Sequence, residues 1–224
     1  MQKLITLIGA FLLAMGVNAQ TTLKVESFRM GLGEKKTITL DLDNAGLTDA
    51  AAFCCNIYIP EGVEVEKDAE GNFNFTVSDK DGRCASSELV IASAVQVNGS
   101  IRVVCFPADA KAFNGTSGAV LNIPLVASED LTKGTIVIAI ARQEITNATG
   151  LNTVNPENYV AEAIALLRGD VNDDDQINSS DVVRDYEYMA GQTEGVNKPN
   201  ADVNDDGAVN SSDIVRVYEI MAHK

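Results

Sequence analysis

Apolar and polar residues alternate with a period of two along most of the chain between Thr22 and Ala165. In Thr37-Ile-Thr-Leu-Asp-Leu-Asp43 the alternation sets Ile38, Leu40 and Leu42 on one face and Thr and Asp on the other, the mark of a strand with one buried side. Apolar runs at Phe53 to Ile59, Phe73 to Val77, Leu89 to Val95, Ile101 to Phe106, Val120 to Val126, Ile136 to Ile140 and Tyr159 to Leu166 repeat that signal, with Gly, Asn, Asp and Pro between them. Asn98-Gly99, between two of these runs, is a hairpin turn signal. Ala108 to Phe113 suits a single helical turn. About nine short strands without a helical period predict an all-β sandwich over residues 20–165. Past Leu167-Arg168 the period changes. Val182, Tyr186 and Met189, and again Ile214, Tyr218 and Met221, recur at i, i+4 and i+7, which predicts two helices whose apolar stripes form the core of a small all-α domain over residues 166–224. Gly191 to Asn200 is the linker that lets these helices pack antiparallel. The junction between the domains is short, so they are expected to touch.

The helical region is one unit written twice. Asp170-Val-Asn-Asp-Asp-Asp-Gln-Ile-Asn-Ser-Ser-Asp181 returns 32 residues later as Asp202-Val-Asn-Asp-Asp-Gly-Ala-Val-Asn-Ser-Ser-Asp213. Oxygen-bearing side chains stand at positions 1, 3, 5, 9 and 12 of each loop, with Ile177 or Val209 at position 8. A hard cation needs roughly six to eight oxygens, and a loop of this pattern supplies them. The expected ligands are Asp170, Asn172, Asp174, the carbonyl of Gln176, Asn178 (directly or through water) and Asp181. In the second loop they are Asp202, Asn204, Asp206, the carbonyl of Ala208, Asn210 and Asp213. Two EF-hand-like loop-helix motifs predict two bound Ca²⁺. Position 6 needs a positive φ and is Gly207 in the second loop but Asp175 in the first, so the first site is expected to be the weaker.

The charge agrees with that placement. Of the net −15, residues 166–224 carry −8, with 13 Asp or Glu against 5 Lys or Arg. Such a domain is expected to fold poorly without metal, and it argues against nucleic acid as a partner. At the N-terminus, Lys3, the apolar stretch Leu4 to Met15 and Val17-Asn18-Ala19 read as a signal peptide over residues 1–19, cleaved at Ala19-Gln20, which implies a secreted, extracellular or cell-surface protein. No later run is long enough for a membrane helix. An oxidising compartment permits two disulfides among Cys54, Cys55, Cys84 and Cys105. Alternation turns Cys55 inward with Phe53 and Ile57, and Cys54 outward, so a buried free thiol at Cys55 is an equal expectation. These spacings match no common zinc module.

The tandem Asp-Val-Asn-x-Asp-x-x-(Ile/Val)-Asn-Ser-Ser-Asp units resemble type I dockerin modules. The resemblance implies a noncatalytic module with two calcium sites that plugs into a cohesin-type module. It also implies partner contact through loop positions 10 and 11 and the following helix. Those residues are Ser179, Ser180 and Arg184, with Ser211, Ser212 and Arg216 on the near-twofold copy. Serines at these positions also suit capping of the helix N-terminus. The larger domain resembles a cohesin-like jelly roll and related carbohydrate-binding sandwiches. The residues that carry this are Gly33-Glu-Lys ahead of Ile38, Leu40 and Leu42, then Ala52-Phe53, Ile57-Tyr-Ile-Pro-Glu-Gly62 and Gly118-Ala119-Val-Leu121.

Catalysis is not expected. The only histidine is His223, there is no Gly-x-Ser-x-Gly elbow, and no acidic pair outside the loops forms a recognisable motif. The expected function is therefore a secreted calcium-binding assembly protein of a cellulosome-like or surface polysaccharide-utilising complex, with polysaccharide as a second candidate partner. The alternative is a carbohydrate-binding or adhesin subunit carried by a dockerin, stacking sugars on Tyr58, Phe73, Phe75 or Phe106. A glycoside hydrolase component ranks behind both.

Overall fold

The computed structural model describes residues 21–84, 89–150, 153–154 and 157–223. The expected signal peptide at 1–19 and its cleavage point lie outside the described residues. Two sheets pack face to face. The smaller is built from β1 (Thr21–Lys24), β3 (Lys35–Asn44), β9 (Ser117–Ala127) and β5 (Val63–Val65) in that order, with β6 (Thr76–Val77) also pairing β9. The larger runs β2 (Phe28–Gly31), β12 (Tyr159–Leu166), β10 (Gly134–Asn147), β4 (Ala50–Tyr58), β8 (Ile101–Pro107) and β7 (Leu89–Val95), with β11 (Thr153–Val154) on β10. Pairing is antiparallel except where β2 lies parallel to β12. The described residues thus hold twelve strands where the alternation predicted about nine. Eight of the twelve fall on the apolar runs named above, and the other four, β1, β2, β5 and β11, have at most four residues each, too few for a period to register.

Alternation sets the core as expected. Ile38, Leu40 and Leu42 of β3 face Phe53, Cys55 and Ile57 of β4 across the sandwich, all within one buried apolar cluster. Each such side chain contributes about 1.5–3 kcal/mol by leaving water. Cys55 and Cys105 are fully buried, and burial pushes both thiols up to about 12. All four cysteines are free thiols. The Asn98-Gly99 hairpin forms as read, with Gly99 at φ 82 and the Gln96 amide donating to Ser100 O at 2.8 Å. Ala108 to Phe113 forms no helical turn. Ala110 takes φ 56, and Phe113 is drawn into the core, stacked 6.1 Å from Phe53.

The helical region has its own, smaller cluster of Ile177, Val182, Ile214 and Val217. It comprises α1 (Ser179–Met189), a short α2 (Lys198–Ala201) inside the expected linker, and α3 (Ser211–Ala222). Among the described residues no helix is long and apolar enough to cross a membrane.

Candidate metal loops and the faces beside them

Each loop is held by hydrogen bonds that the other repeats. The position-1 carboxylate accepts from the amides of positions 5 and 6: Asp170 from Asp174 at 2.9 Å and Asp175 at 3.1 Å, Asp202 from Asp206 and Gly207 at 3.0 Å each. Position 5 accepts from the amide of position 7, Asp174 from Gln176 and Asp206 from Ala208, at 2.9 Å in both. Position 12 reaches back to positions 3 and 9. Asp181 accepts from Asn172 at 3.2 Å and Asn178 at 2.8 Å, and Asp213 from Asn204 at 3.2 Å and Asn210 at 2.9 Å. Asp173 and Asp205 at position 4 lie at φ 60 and 61, and position 6 at φ 66 (Asp175) and 90 (Gly207). Loop one thus accepts in a non-glycine residue the conformation that loop two gives to glycine.

Asp170, Asp181, Asp202 and Asp213 are buried, at most 1 % exposed. Among the described residues no three acids, histidines or cysteines gather around a metal-sized point; the loop carboxylates are turned onto backbone amides. The fit to a hard cation therefore rests on the donor set. It is all oxygen, carries three carboxylates and two carboxamides per loop, and holds its innermost acids out of water, where an ion would repay their burial.

The helices begin one residue earlier in the capping sense than the serines suggested. Asn178 and Asn210 are the N-caps, accepting from Ser180 and Ser212 amides, and Asp181 and Asp213 close reciprocal capping boxes. Ser180 and Ser212 instead accept from the Asn172 and Asn204 carboxamides, at 3.0 and 2.9 Å. Ser179, Ser180, Arg184, Ser211, Ser212 and Arg216 all lie exposed. The expected core stripe needs correction. Tyr186, Met189 and Tyr218 are 55, 46 and 51 % exposed, beside exposed Val183 and Val215. Val182 and Ile214 are buried as expected and Met221 is half-buried against the cluster, but the second buried position on each helix is one residue earlier than expected, Asp185 on α1 and Val217 on α3. Two short helices cover only a narrow seam, so a stripe of three leaves its large members outside.

Asp185 is the exception within that seam. It occupies the place where the second copy has Val217, is fully buried, and neither carboxylate oxygen has a hydrogen-bond partner. Burial first, and then the charges of Asp213 and Asp181, push its carboxyl up to about 7.

Sandwich cations meet the loops from outside. Lys133, between β9 and β10, pairs with Asp175 and lies 3.5 Å from both Asp170 and Asp173. Its ammonium is held above the usual lysine range by the hydrogen bond to Asp175, against the opposing pull of burial. Lys36 of β3 reaches Asp205 at 2.7 Å, and Arg29 of β2 approaches Asp205 at 3.5 Å and Asp202 at 3.3 Å. Burial raises the Asp205 carboxyl, but the Lys36 hydrogen bond and the charges of Lys36, Arg168 and Arg29 outweigh it and hold it below the usual carboxylate range. Sequence reasoning missed these residues. The signal was present in part, as an acid repeated at position 4 that cation binding does not require.

Of the aromatic candidates, Phe73 and Phe75 lie 5.9 Å apart with rings tilted 47°. Tyr58 accepts a hydrogen bond from Asn98 at 2.8 Å, Lys67 lies over Phe73 at 5.2 Å, and Phe75 is buried. Phe106, 40 % exposed, is the most open of the four.

Against known proteins, residues 168–220 match the family model of the dockerin type I domain. The sandwich has the cohesin fold. It is similar to a non-cellulosomal cohesin from the archaeon Archaeoglobus fulgidus, at 16 % identity and TM-score 0.50 over 66 % of this chain and 92 % of that one. A cohesin module from a Clostridium perfringens family 33 glycoside hydrolase matches at 13 % and 0.50, over 66 % and 97 %. A type I cohesin–dockerin complex from Clostridium thermocellum matches at 12 % and 0.50, over 66 % and 99 %. No curated protein matches the chain. The C-terminal unit is therefore a dockerin module, preceded by a cohesin-like sandwich. Dockerin modules are noncatalytic assembly domains; the likeness of the sandwich to cohesins is one of fold.

Proposed function

We propose that this chain is an exported, noncatalytic assembly protein of a polysaccharide-utilising complex. Residues 166–224 form the calcium-dependent plug and residues 20–165 the sandwich that it attaches. The loops at 170–181 and 202–213 each hold one Ca²⁺ through the residues at positions 1, 3, 5, 7, 9 and 12, and so order the two helices. The observation that carries this reading is that the carboxylates at positions 1, 5 and 12 accept from the same backbone positions in both loops, each loop followed by a helix with the same outward face. Ser-Arg faces at Ser179, Ser180, Arg184 and at Ser211, Ser212, Arg216 then offer a cohesin two alternative, near-twofold docking modes. Because the Asn178 and Asn210 side chains do the capping, capping does not account for the exposed serines, and recognition does.

The test is capture of a cohesin-bearing protein from the secreted fraction by the full chain, with Ca²⁺ and with chelator. Capture should require Ca²⁺, survive Ser179→Ala/Ser180→Ala, and disappear when Ser211→Ala/Ser212→Ala is added. Loss of all capture in a single-face variant rules out the two-mode reading, and capture in chelator rules out the calcium requirement.

A further inference from the structure

Three acids of the loops have no place among the cation ligands: Asp173 and Asp205 at position 4 of the two copies, and Asp175 at position 6 of the first. Each faces the sandwich and meets a lysine or arginine there. Lys133 pairs with Asp173 and Asp175; Lys36 and Arg29 pair with Asp205, which Arg168 also approaches at 3.5 Å. Arg168 is itself fixed, donating from Nε to Glu34 at 2.8 Å and from Nη1 to the Asp202 carbonyl at 3.3 Å. The Leu32 amide, donating to Leu166 O at 3.1 Å, ties the β2–β3 turn to the end of β12 where the dockerin begins. One edge of the sandwich, made from β2, β3 and the β9–β10 loop, thus grips both loops at once.

The same cations also reach the position-1 acids. Lys133 Nζ is 3.5 Å from Asp170 Oδ2 and Arg29 Nη1 is 3.3 Å from Asp202 Oδ2. We propose that this cationic edge is a docking surface for the chain's own dockerin, reading the acids at positions 4 and 6, and that docking and divalent-cation loading oppose one another. The second half rests on the calcium reading above. Exposure of all six partner-face residues in the docked arrangement means that the dock leaves the outward faces open to a second protein.

The size of the opposition follows from Coulomb's law. A dication on the position-1 carboxylate sits about 6 Å from the lysine or arginine charge, and in water that repulsion weakens binding roughly tenfold at low salt. Linkage requires the converse, that loading loosens the dock by the same factor.

The experiment uses the full chain and Ca²⁺ itself. Calorimetric titration should find one of two sites tightened roughly tenfold in Lys133→Met at low salt, and the other in Arg29→Gln, with both gains fading near 1 M salt as screening shortens to about 3 Å. Small-angle scattering in chelator should show a compact wild type and an extended Lys36→Glu/Lys133→Glu variant of unchanged circular dichroism. Equal dimensions for those two chains overturn the dock. Unchanged or weakened Ca²⁺ binding by Lys133→Met overturns the opposition. A wild type that takes up no Ca²⁺ defeats the calcium reading and with it the opposition, while scattering still decides the dock.

Discussion

Replacing Asp185 by valine should make the dockerin more stable, by an amount that depends on pH in a defined direction. The side chain sits in the seam with Val182, Ile214 and Val217, is fully buried, and has no hydrogen-bond partner on either oxygen. Its carboxyl rises from an ordinary 3.8 to about 7, burial being the main cause and the neighbouring Asp213 and Asp181 adding to it. A raised carboxyl binds its proton more tightly folded than unfolded. The contribution of this proton to stability is therefore fully present below pH 4, falls as pH rises from about 4 to 7, and is gone above pH 7. At 1.36 kcal/mol per pH unit the loss at pH 8 is about 4 kcal/mol. Asp185→Val removes it and restores the residue that the second copy uses. In chelator, urea unfolding followed by helix circular dichroism should show a gain of about 3–4 kcal/mol at pH 8, shrinking to about 1–2 kcal/mol at pH 5. Asp185→Asn should flatten the pH profile with a smaller gain, because the buried amide keeps its desolvation cost. In saturating Ca²⁺ the gain at pH 8 should shrink, since dications beside Asp181 and Asp213 favour the ionised form. A valine variant whose stability tracks wild type in parallel from pH 4 to 8, or falls below it at pH 8, refutes this account.

Two further outcomes follow from the structure. Arg83 is 2 % exposed and donates to Asn44 Oδ1 and Asn114 O at 2.5 Å each, so Arg83→Met should leave the buried Asn44 acceptor unmet and lower sandwich stability by about 1–3 kcal/mol in thermal unfolding. Asp213→Ala removes a buried carboxylate that also closes the α3 capping box, whereas Asp174 is exposed, so Asp213→Ala should reduce Ca²⁺-induced helix gain much more than Asp174→Ala; equal losses would contradict the burial argument.

The loops were legible from sequence because their geometry is local. The bonds from the carboxylates at positions 1, 5 and 12 to the amides at positions 3, 5, 6, 7 and 9 join residues within 9 positions of each other, so residue types at fixed offsets carry most of the arrangement. The long strands were legible for a similar reason: alternation in β3, β4, β8 and β9 records which face meets the core. The short edge strands carried no such record, since four residues or fewer hold no period and their pairing is chosen by neighbours distant in the chain. Which turn of each dockerin helix is buried was likewise a tertiary matter. After Val182 and Ile214 the helical spacing allows two adjacent continuations, and the crossing of α1 on α3 selected Asp185 and Val217 over Tyr186 and Tyr218. The charged edge depends on contacts 37 to 173 positions apart, between Lys133 and Asp170 and between Arg29 and Asp202, which folding alone brings together. Local sequence thus determined the loops and the long strands, and three-dimensional packing decided what presses against them.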